Sequence, residues 1–305
     1  MDQIVKAMLK EDPVLVVSLI DTEVVEKARQ IHDTLPTATA ALGRVISGAL
    51  LLASSLKDNQ KVTLQVRGDG PIREIIAEAD SLYRVRAYIK RPHIHMGLRD
   101  GKLDVGRAIG KGFINVIRDL GLREIYQSSV PLQTGEIATD LAYYLNVSEQ
   151  IPSAVSLGVY VDPDNTVKAS GGFMIQRLPG ARDEVISFIE RKLSNIKTAS
   201  AMILEGLNPI EIIEEAVGLP VDILSQREIT YYCPCTKSRV LDAIAALGKR
   251  EIEDMIKKGD DLEITCRFCG REYNVTLKEL KEILLAGEGN GFDGEINSWG
   301  SNDNN

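Results

Sequence analysis

The chain has 305 residues, of which 44% are hydrophobic and 26% charged, and its formal net charge is −8. This composition is that of an ordinary globular protein, long enough for two domains and a small appendage. The negative charge argues against a nucleic-acid-binding protein, because phosphate contacts need clustered Lys and Arg.

The N-terminal segment lacks a secretory pattern. Its one apolar run, Val14 to Ile20, is broken by Ser18 and followed at once by Asp21. No stretch approaches the roughly twenty apolar residues that a transmembrane helix needs. We therefore expect a cytoplasmic protein that has no membrane partner and lies in a compartment where thiols are kept reduced.

Residues 1–178 mix helical and strand-like patterns. The segment "DTLPTATAALGRVISGALLLASSL" predicts a long buried helix that starts after Pro36. The segment "KVTLQVRGDGPIREIIAEAD" predicts a hairpin that turns at residues 68–71. Further strands are predicted in "YRVRAYIK", "GFINVIRDL", "REIYQSSVPL", "SAVSLGVYV" and "VKASGGFMIQRL".

One amphipathic helix is predicted among these strands, in "GEIATDLAYYLNVSEQ". Its apolar face consists of Ile137, Leu141, Tyr144 and Leu145. Because the strands occur in runs with few helices between them, the sequence predicts an α+β domain built on antiparallel sheets.

A boundary is predicted near Leu178-Pro179-Gly180, followed by a helical linker over residues 179–226. An N-cap asparagine and a proline, Asn208 and Pro209, mark the start of one of its helices. The linker is too short to fold comfortably alone, so we expect it to pack on another part of the protein. One apolar stripe is available for this packing and consists of Ile186, Ile189, Leu193 and Ile196.

Residues 227–290 predict a small domain. Its order is a Cys loop, two helices, a short strand, a Cys turn, a second short strand and a terminal helix. Ser238 is predicted to cap the first helix, and Thr276 with Glu279 to form a capping box for the last. Residues 291–305 are rich in Gly and Asn, and we expect a disordered tail.

All four cysteines lie in this small domain, in two tight pairs. "YYCPCTKS" contains Cys233 and Cys235, and "TCRFCG" contains Cys266 and Cys269. Four thiolates from two loops suit the tetrahedral coordination of Zn²⁺, and Gly270 allows a tight turn around a metal. We therefore predict one Zn²⁺ per chain, held by all four cysteines, in preference to buried free thiols.

The spacing of the first pair is unusual, since most structural zinc pairs have two to four residues between the ligands. Lys237, Arg239 and Arg267 could offset part of the charge of four thiolates. Thiolates are also the species that oxidants attack. A unit of about sixty residues has little core of its own, so oxidation of its zinc ligands would unfold it. From the spacing alone, a permanently structural zinc domain is an equally good interpretation.

At these residues the sequence resembles the heat shock protein 33 family, the redox-regulated 33 kDa chaperonins. The resemblance extends from residue 1 to about residue 290 and is most specific at "CPC" and "CRFCG". Supporting matches are "GDGP" at 68–71, "SEQIPSAV" at 148–155 and "ASGGFMIQRLPGA" at 169–181.

The resemblance implies a switch between two states. The reduced, zinc-bound form is expected to be inactive, and oxidation to form the disulfides Cys233–Cys235 and Cys266–Cys269. Zinc then leaves, the small domain and the linker unfold, and the protein binds unfolding client proteins as a homodimer without ATP hydrolysis. We expect the stripe of Ile186, Ile189, Leu193 and Ile196 to be covered in the resting state and available to clients afterwards.

Other interpretations stay open. A thiol–disulfide oxidoreductase could use Cys266 and Cys269, but that class places its C-x-x-C at the start of a helix, and strand-like "EYNVT" follows here. A zinc-dependent nucleic-acid binder is disfavoured by the acidic charge. His93 and His95 in "RPHIHMG" lie at strand spacing without an evident third ligand, so we do not predict a metal site there. The sequence thus favours a chaperone that is not an enzyme.

Overall fold

The computed structural model describes residues 1–99, 101–122 and 124–289. The predicted disordered tail, residues 291–305, lies outside this part of the chain. The chain forms two compact units, Met1–Cys233 and a second one that begins at Pro234. This division lies inside the first cysteine pair, whereas the sequence analysis placed boundaries at 178/179 and 226/227.

The first unit contains a five-stranded antiparallel sheet. Across the sheet, the strands are β10 (Ser153–Val161), β11 (Val167–Arg177), β2 (Val14–Ile20), β1 (Gln3–Leu9) and β12 (Val221–Glu228). Strand β2 is covered on both faces, since Val17 belongs to one apolar cluster and Val16 to another. The sequence analysis did not identify β2, because a strand buried on both faces lacks the alternation that marks a half-buried one.

A six-stranded sheet completes the first unit. Its strands, across the sheet, are β13 (Thr230–Tyr231), β5 (Arg84–Ile89), β4 (Glu74–Asp80), β3 (Lys61–Gly68), β8 (Gly112–Asp119) and β9 (Tyr126–Pro131). Every pairing is antiparallel except that of β13 with β5. Strands β3 to β5 alternate between buried and more exposed residues, which confirms the hairpin and the antiparallel sheet. Two short strands, β6 (Leu98–Arg99) and β7 (Lys102–Leu103), pair with each other.

Helix α2 (Pro36–Ala53) forms the centre of the main core. It packs against β3, β4 and β5 of one sheet and against β10 and β11 of the other. By length and composition this helix could cross a membrane, so the expectation that no stretch approaches a transmembrane helix is wrong. Since 89% of the helix is buried inside the protein, it is a core helix. The predicted long buried helix is confirmed.

Three further helices contact α2: α1 (Thr22–His32), α3 (Val105–Ile109) and α4 (Ala138–Val147). Helix α4 buries its predicted apolar face, Ile137, Leu141, Tyr144 and Leu145. Helix α1 was not predicted.

The segment predicted as a helical linker contains three helices and then strand β12. The helices are α5 (Asp183–Leu193), α6 (Ala199–Leu204) and α7 (Pro209–Val217). Their apolar side chains, including Ile189, Met202 and Ile212, form one cluster with Val16 and other residues of the five-stranded sheet. The helical prediction is therefore wrong from Val221 onward. The strand depends on pairing with β1 and has little apolar alternation of its own.

The second unit has the predicted order of elements. They are α8 (Lys237–Ala245), α9 (Lys249–Lys258), β14 (Leu262–Thr265), β15 (Glu272–Val275) and α10 (Leu277–Gly289). The core of this unit is small. Within the described part of the chain, its apolar cluster has four buried residues, Ile244, Ile252, Val275 and Leu280.

Caps were predicted for two helices of this unit, α8 and α10. Thr276 and Glu279 form the predicted capping box, since the Thr276 N–H donates to Glu279 Oε2 at 2.9 Å and the Glu279 N–H donates to Thr276 Oγ1 at 3.3 Å. The Ser238 prediction is wrong. Thr236 caps α8 instead, because its backbone is extended and its Oγ1 accepts from the Arg239 N–H at 3.3 Å, while Ser238 lies inside the helix.

Candidate metal and redox centre

The second cysteine pair lies in the tight turn between β14 and β15. The Cys266 N–H donates to the Arg271 carbonyl at 2.9 Å, and the Gly270 N–H donates to the Cys266 carbonyl at 2.9 Å. Gly270 has a φ of 70°, the left-handed conformation that a residue without Cβ adopts readily. The glycine after Cys269 therefore makes the turn in the way that the sequence predicts.

The first cysteine pair lies in the segment between β13 and α8. Cys233 follows β13 by two residues, and Cys235 directly precedes Thr236, the N-cap of α8. The two thiols are thus fixed by a strand on one side and by a helix start on the other.

The four sulfur atoms form one cluster. The Sγ atoms of Cys233, Cys235, Cys266 and Cys269 all lie within 4.8 Å of one another, and the four residues are partly buried. Cys235 Sγ and Cys269 Sγ are 3.2 Å apart. Zinc–sulfur bonds of about 2.3 Å in a tetrahedron separate the sulfurs by about 3.8 Å. The cluster therefore has the size and the all-sulfur composition that fit one metal ion, and both are consistent with Zn²⁺.

Two residues of the second unit support Cys235. The Tyr273 hydroxyl donates to Cys235 Sγ at 3.2 Å, and Arg271 Nη1 donates to the Cys235 carbonyl at 3.4 Å. The hydrogen bond to Cys235, with some desolvation, raises the pKa of Tyr273 above its usual value, so the phenol stays a donor. Donors of this kind stabilise an anionic sulfur.

One residue of the first unit approaches Cys233. Arg86 on β5 places its Nη1 3.9 Å from Cys233 Sγ and forms a 3.0 Å ion pair with Glu78. A partly buried guanidinium therefore lies beside the first thiol of the motif.

These supporting residues are not among the predicted counter-charges, which are Lys237, Arg239 and Arg267. Lys237 forms a 2.6 Å ion pair with Glu279, which lowers the pKa of Glu279 to about 2. Arg271 could have been suspected, since it follows Cys269 by two residues. Arg86 lies 147 residues before Cys233, and only the fold brings it there.

The predicted apolar stripe lies within the first unit. Ile189 is buried, and the other three residues pack partly buried against the same cluster on the five-stranded sheet: Ile186, Leu193 and Ile196. All four side chains therefore belong to one apolar cluster or pack against it. Their contact with clients stays a prediction.

The two histidines of "RPHIHMG" lie in an irregular segment and not in a strand. His93 Nε2 is 3.0 Å from Asp33 Oδ2 and is exposed, whereas His95 Nδ1 is 3.5 Å from Thr37 Oγ1. Their side chains therefore have different partners.

Comparisons with known proteins cover both units. A family model described as "Hsp33 protein" matches residues 2–276. A 33 kDa chaperonin of Thermodesulfovibrio yellowstonii is 63% identical over 284 residues, which are 93% of this chain and 99% of that protein. A 33 kDa chaperonin of Bacillus subtilis is 44% identical over 285 residues, 93% of this chain and 98% of that protein.

A solved structure agrees with the sequence matches. The crystal structure of the 33 kDa chaperonin of Thermotoga maritima has a TM-score of 0.86 and 38% identity, over 94% of this chain and 99% of that chain. The similarity therefore extends over most of the chain, and the range matched by the family model includes the positions of all four cysteines.

Proposed function

This chain belongs to the Hsp33 family of chaperones, and on that premise we propose that it is a redox-regulated holdase that works without ATP. The observation that carries the proposal is the cluster of four sulfurs within 4.8 Å, contributed by two pairs far apart in sequence. Such a cluster can exist in a metal-binding reduced form and in a disulfide-bonded oxidised form.

In the reduced form, we propose that the four cysteines hold one Zn²⁺. A bound Zn²⁺ would tie the two cysteine loops together and contribute much of the folding free energy of the second unit, roughly 10–16 kcal/mol in small zinc-finger peptides. At about 1.5–3 kcal/mol each, the four buried residues of that unit's apolar cluster contribute less than the metal would. Tyr273 and Arg271 orient Cys235 for this role.

Oxidation acts on the cysteines two at a time. In each pair, two thiolates lose two electrons as one S–S bond forms. One hydrogen peroxide accepts these electrons, its O–O bond breaks, and two protons complete two water molecules. A disulfide offers no thiolate to a metal, so oxidation of both pairs removes the ligand set.

The choice of disulfide partners decides whether the second unit stays folded. A Cys235–Cys269 bond, between sulfurs that lie 3.2 Å apart, would link the two loops and preserve the unit. Disulfides Cys233–Cys235 and Cys266–Cys269 would leave the loops unlinked, and the small core could not hold them. We propose the second pairing, because only this pairing converts oxidation into unfolding.

Unfolding of the second unit would then spread to helices α5 to α7. Loss of these helices would uncover the stripe of Ile186, Ile189, Leu193 and Ile196 together with the sheet residues beneath it. We propose that unfolding client proteins bind this apolar surface, that the active form is a homodimer and that the protein acts in the cytoplasm. This apolar surface would bind unfolding proteins and keep them from aggregating, and we propose no catalytic role for it.

The position of Cys266 and Cys269 argues against a thiol–disulfide oxidoreductase. That class activates its C-x-x-C at a helix start, whereas this pair lies in a turn between two strands. A test of insulin reduction separates the two functions.

The proposal is tested by comparing reduced, peroxide-oxidised and re-reduced protein in one aggregation assay with thermally unfolding citrate synthase. We expect suppression of aggregation by the oxidised form alone. Peptide mapping of that form should find both within-pair disulfides. Equal suppression by all three forms, or a Cys235–Cys269 disulfide in the active form, would contradict the proposal.

A further inference from the structure

The short segment between β12 and the first cysteine pair lies along one edge of the six-stranded sheet. Strand β13 is the outermost strand on that side and pairs in parallel with β5 over two residues, Thr230 with Arg84 and Tyr231 with Val85. This segment joins the first unit to the redox centre, because Cys233 follows it directly.

Backbone hydrogen bonds hold the segment on β5. The Thr230 N–H donates to the Tyr83 carbonyl at 3.2 Å, and the Tyr232 N–H donates to the Val85 carbonyl at 2.9 Å. Further along β5, the Tyr231 hydroxyl accepts from the Ala87 N–H at 3.4 Å and lies 3.3 Å from the Ala87 carbonyl. The segment thus covers backbone groups of Tyr83, which directly precedes β5, and of Val85 and Ala87 within β5, since the tyrosine hydroxyl reaches beyond the two paired residues.

Side chains add a second set of contacts. Ile229 is buried in the main core. The Arg84 guanidinium lies 4.8 Å from the centre of the Tyr232 ring, and Lys27 Nζ lies 5.8 Å from the centre of the Tyr231 ring. These are distances at which cations attract aromatic rings. The edge of β5 therefore presents backbone groups flanked by cations, and an aromatic strand satisfies both.

We propose that β5 is a strand-docking site for clients, and that residues 229–232 occupy this site in the resting state. When the segment leaves, an extended, aromatic-rich stretch of an unfolding protein adds to β5 in its place. We infer the chemistry of the client stretch from the segment that occupies the site in the resting state, whose sequence is "ITYY". The proposal rests on the proposed holdase function and names a site additional to the apolar stripe.

Physical chemistry favours this occupant. Pairing to a sheet edge uses main-chain groups, which every client possesses, and pockets or flanking groups select side chains at intervals. An exposed sheet edge is also an aggregation hazard. Coverage by the protein's own strand in the resting state removes that hazard.

The redox centre can control the covering segment because the two are adjacent. The docked segment ends directly before Cys233, one of the four proposed metal ligands, and Arg86 of β5 lies 3.9 Å from Cys233 Sγ. Once Cys233 is in a disulfide and the second unit has unfolded, the segment is held by Ile229, by two paired residues and by the side-chain contacts of Tyr231 and Tyr232. A pairing that short depends on its neighbours.

A photo-crosslinking experiment tests the proposal on the full chain. Benzoylphenylalanine replaces Arg84 on β5 in one variant and, as the control, Thr63 in another. Thr63 lies on β3, flanked by β4 and β8 in the middle of the same sheet. Each variant is irradiated with unfolding citrate synthase, reduced and oxidised, while aggregation is recorded in parallel.

We expect citrate synthase to be captured at position 84 only in the oxidised form, and several-fold more than at position 63. Suppression of aggregation with equal capture at both positions would overturn this proposal and leave the holdase function intact. Capture of only a second copy of the chain at position 84 would also overturn it, because the edge would then be a dimer contact. Absence of suppression by the oxidised protein would overturn both.

A second variant tests the covering role without a crosslinker. Tyr231→Phe removes the hydroxyl that contacts Ala87, and Tyr126→Phe removes one from β9 at the opposite edge of the sheet. In the reduced protein, Tyr231→Phe should accelerate hydrogen exchange of the β5 amides about fivefold, the effect of one ordinary hydrogen bond, and client addition after oxidation should slow that exchange again. Unchanged exchange in Tyr231→Phe, or no slowing by the client, contradicts the proposal.

Discussion

At the scale of single residues, Tyr273 is the residue whose removal is most informative. It is nearly buried, and its hydroxyl donates to Cys235 Sγ at 3.2 Å. We predict that Tyr273→Phe weakens metal binding about tenfold, because groups that hydrogen-bond to metal ligands typically contribute that much to affinity. The measurement is the rate and midpoint of zinc transfer from reduced protein to a chromogenic chelator.

Tyr160→Phe is the matched control for this prediction, since Tyr160 is exposed on β10 of the first unit. Each variant loses one hydroxyl, but only the Tyr273 hydroxyl donates a hydrogen bond to a cysteine. Equal zinc affinity in the two variants would show that the Tyr273 hydrogen bond does not support the site.

Asp21 should make the stability of the first unit depend on pH. It is fully buried, accepts a 2.7 Å hydrogen bond from Ser47 and lies near Asp2. Burial raises its pKa from 3.8 to about 7, and the charge of Asp2 adds to the shift. The folded state therefore binds a proton that the unfolded state releases between about pH 4 and pH 7.

Stability should therefore fall as pH rises through this range. The contribution of Asp21 to stability is complete below pH 4 and falls as pH rises towards 7, by up to about 1.4 kcal/mol per pH unit. Asp21→Asn, which cannot ionise, should remove that slope from urea midpoints measured at several pH values. An unchanged slope in the variant would show that Asp21 is not the titrating group.

Sequence alone identified the four thiols but not the residues around them. Cysteine spacing is a local signal, and so is the glycine after Cys269. Tyr273 and Arg86 reach the sulfurs through a two-stranded turn and through the six-stranded sheet. Those contacts depend on strand register, which residue types do not encode.

At the scale of elements, the packing of α6 on the five-stranded sheet depends on Gly158. A Cβ at this position would lie 2.6 Å from the Ser200 nitrogen and 3.0 Å from Ser200 Cβ, both in α6. The helix therefore lies directly against the backbone of β10. We predict that Gly158→Ala pushes α6 off the sheet and destabilises the helical layer by about 1–3 kcal/mol.

Two measurements on the reduced protein test this prediction. In Gly158→Ala, the amides of residues 199–204 should exchange hydrogen faster, and an apolar dye should bind more strongly. Gly97→Ala is the control, since a Cβ there meets no atom within 4 Å. If the two variants behave alike, α6 does not depend on close contact at Gly158.

Local pattern was enough for some elements and not for others. The strands β3, β4 and β5 alternate and were predicted, as was β11, although nearly all of its residues are buried. The strands β2, which is largely buried, and β12, which has little alternation, were not. Strand β13 has two residues and exists only through its pairing with β5. Such elements are defined by tertiary contacts and not by local pattern.

At the scale of the whole molecule, the two units should respond differently to removal of the metal. The first unit has two large sheets and large apolar clusters, whereas the apolar cluster of the second unit has four buried residues among those described. We predict that a strong chelator acting on reduced protein removes hydrogen-exchange protection from α8 to α10 while β3, β4 and β8 keep theirs. Protection of both units after metal removal would contradict a metal-dependent fold.

We propose that oxidation releases the metal and activates the chaperone in a single step. Zinc release and suppression of citrate synthase aggregation should therefore be followed together, in one time course of peroxide treatment. We expect about one zinc per chain at the start, loss of zinc at the same rate as suppression appears, and reversal of both on reduction with zinc present. Suppression that develops while zinc stays bound, or zinc loss without suppression, would contradict it.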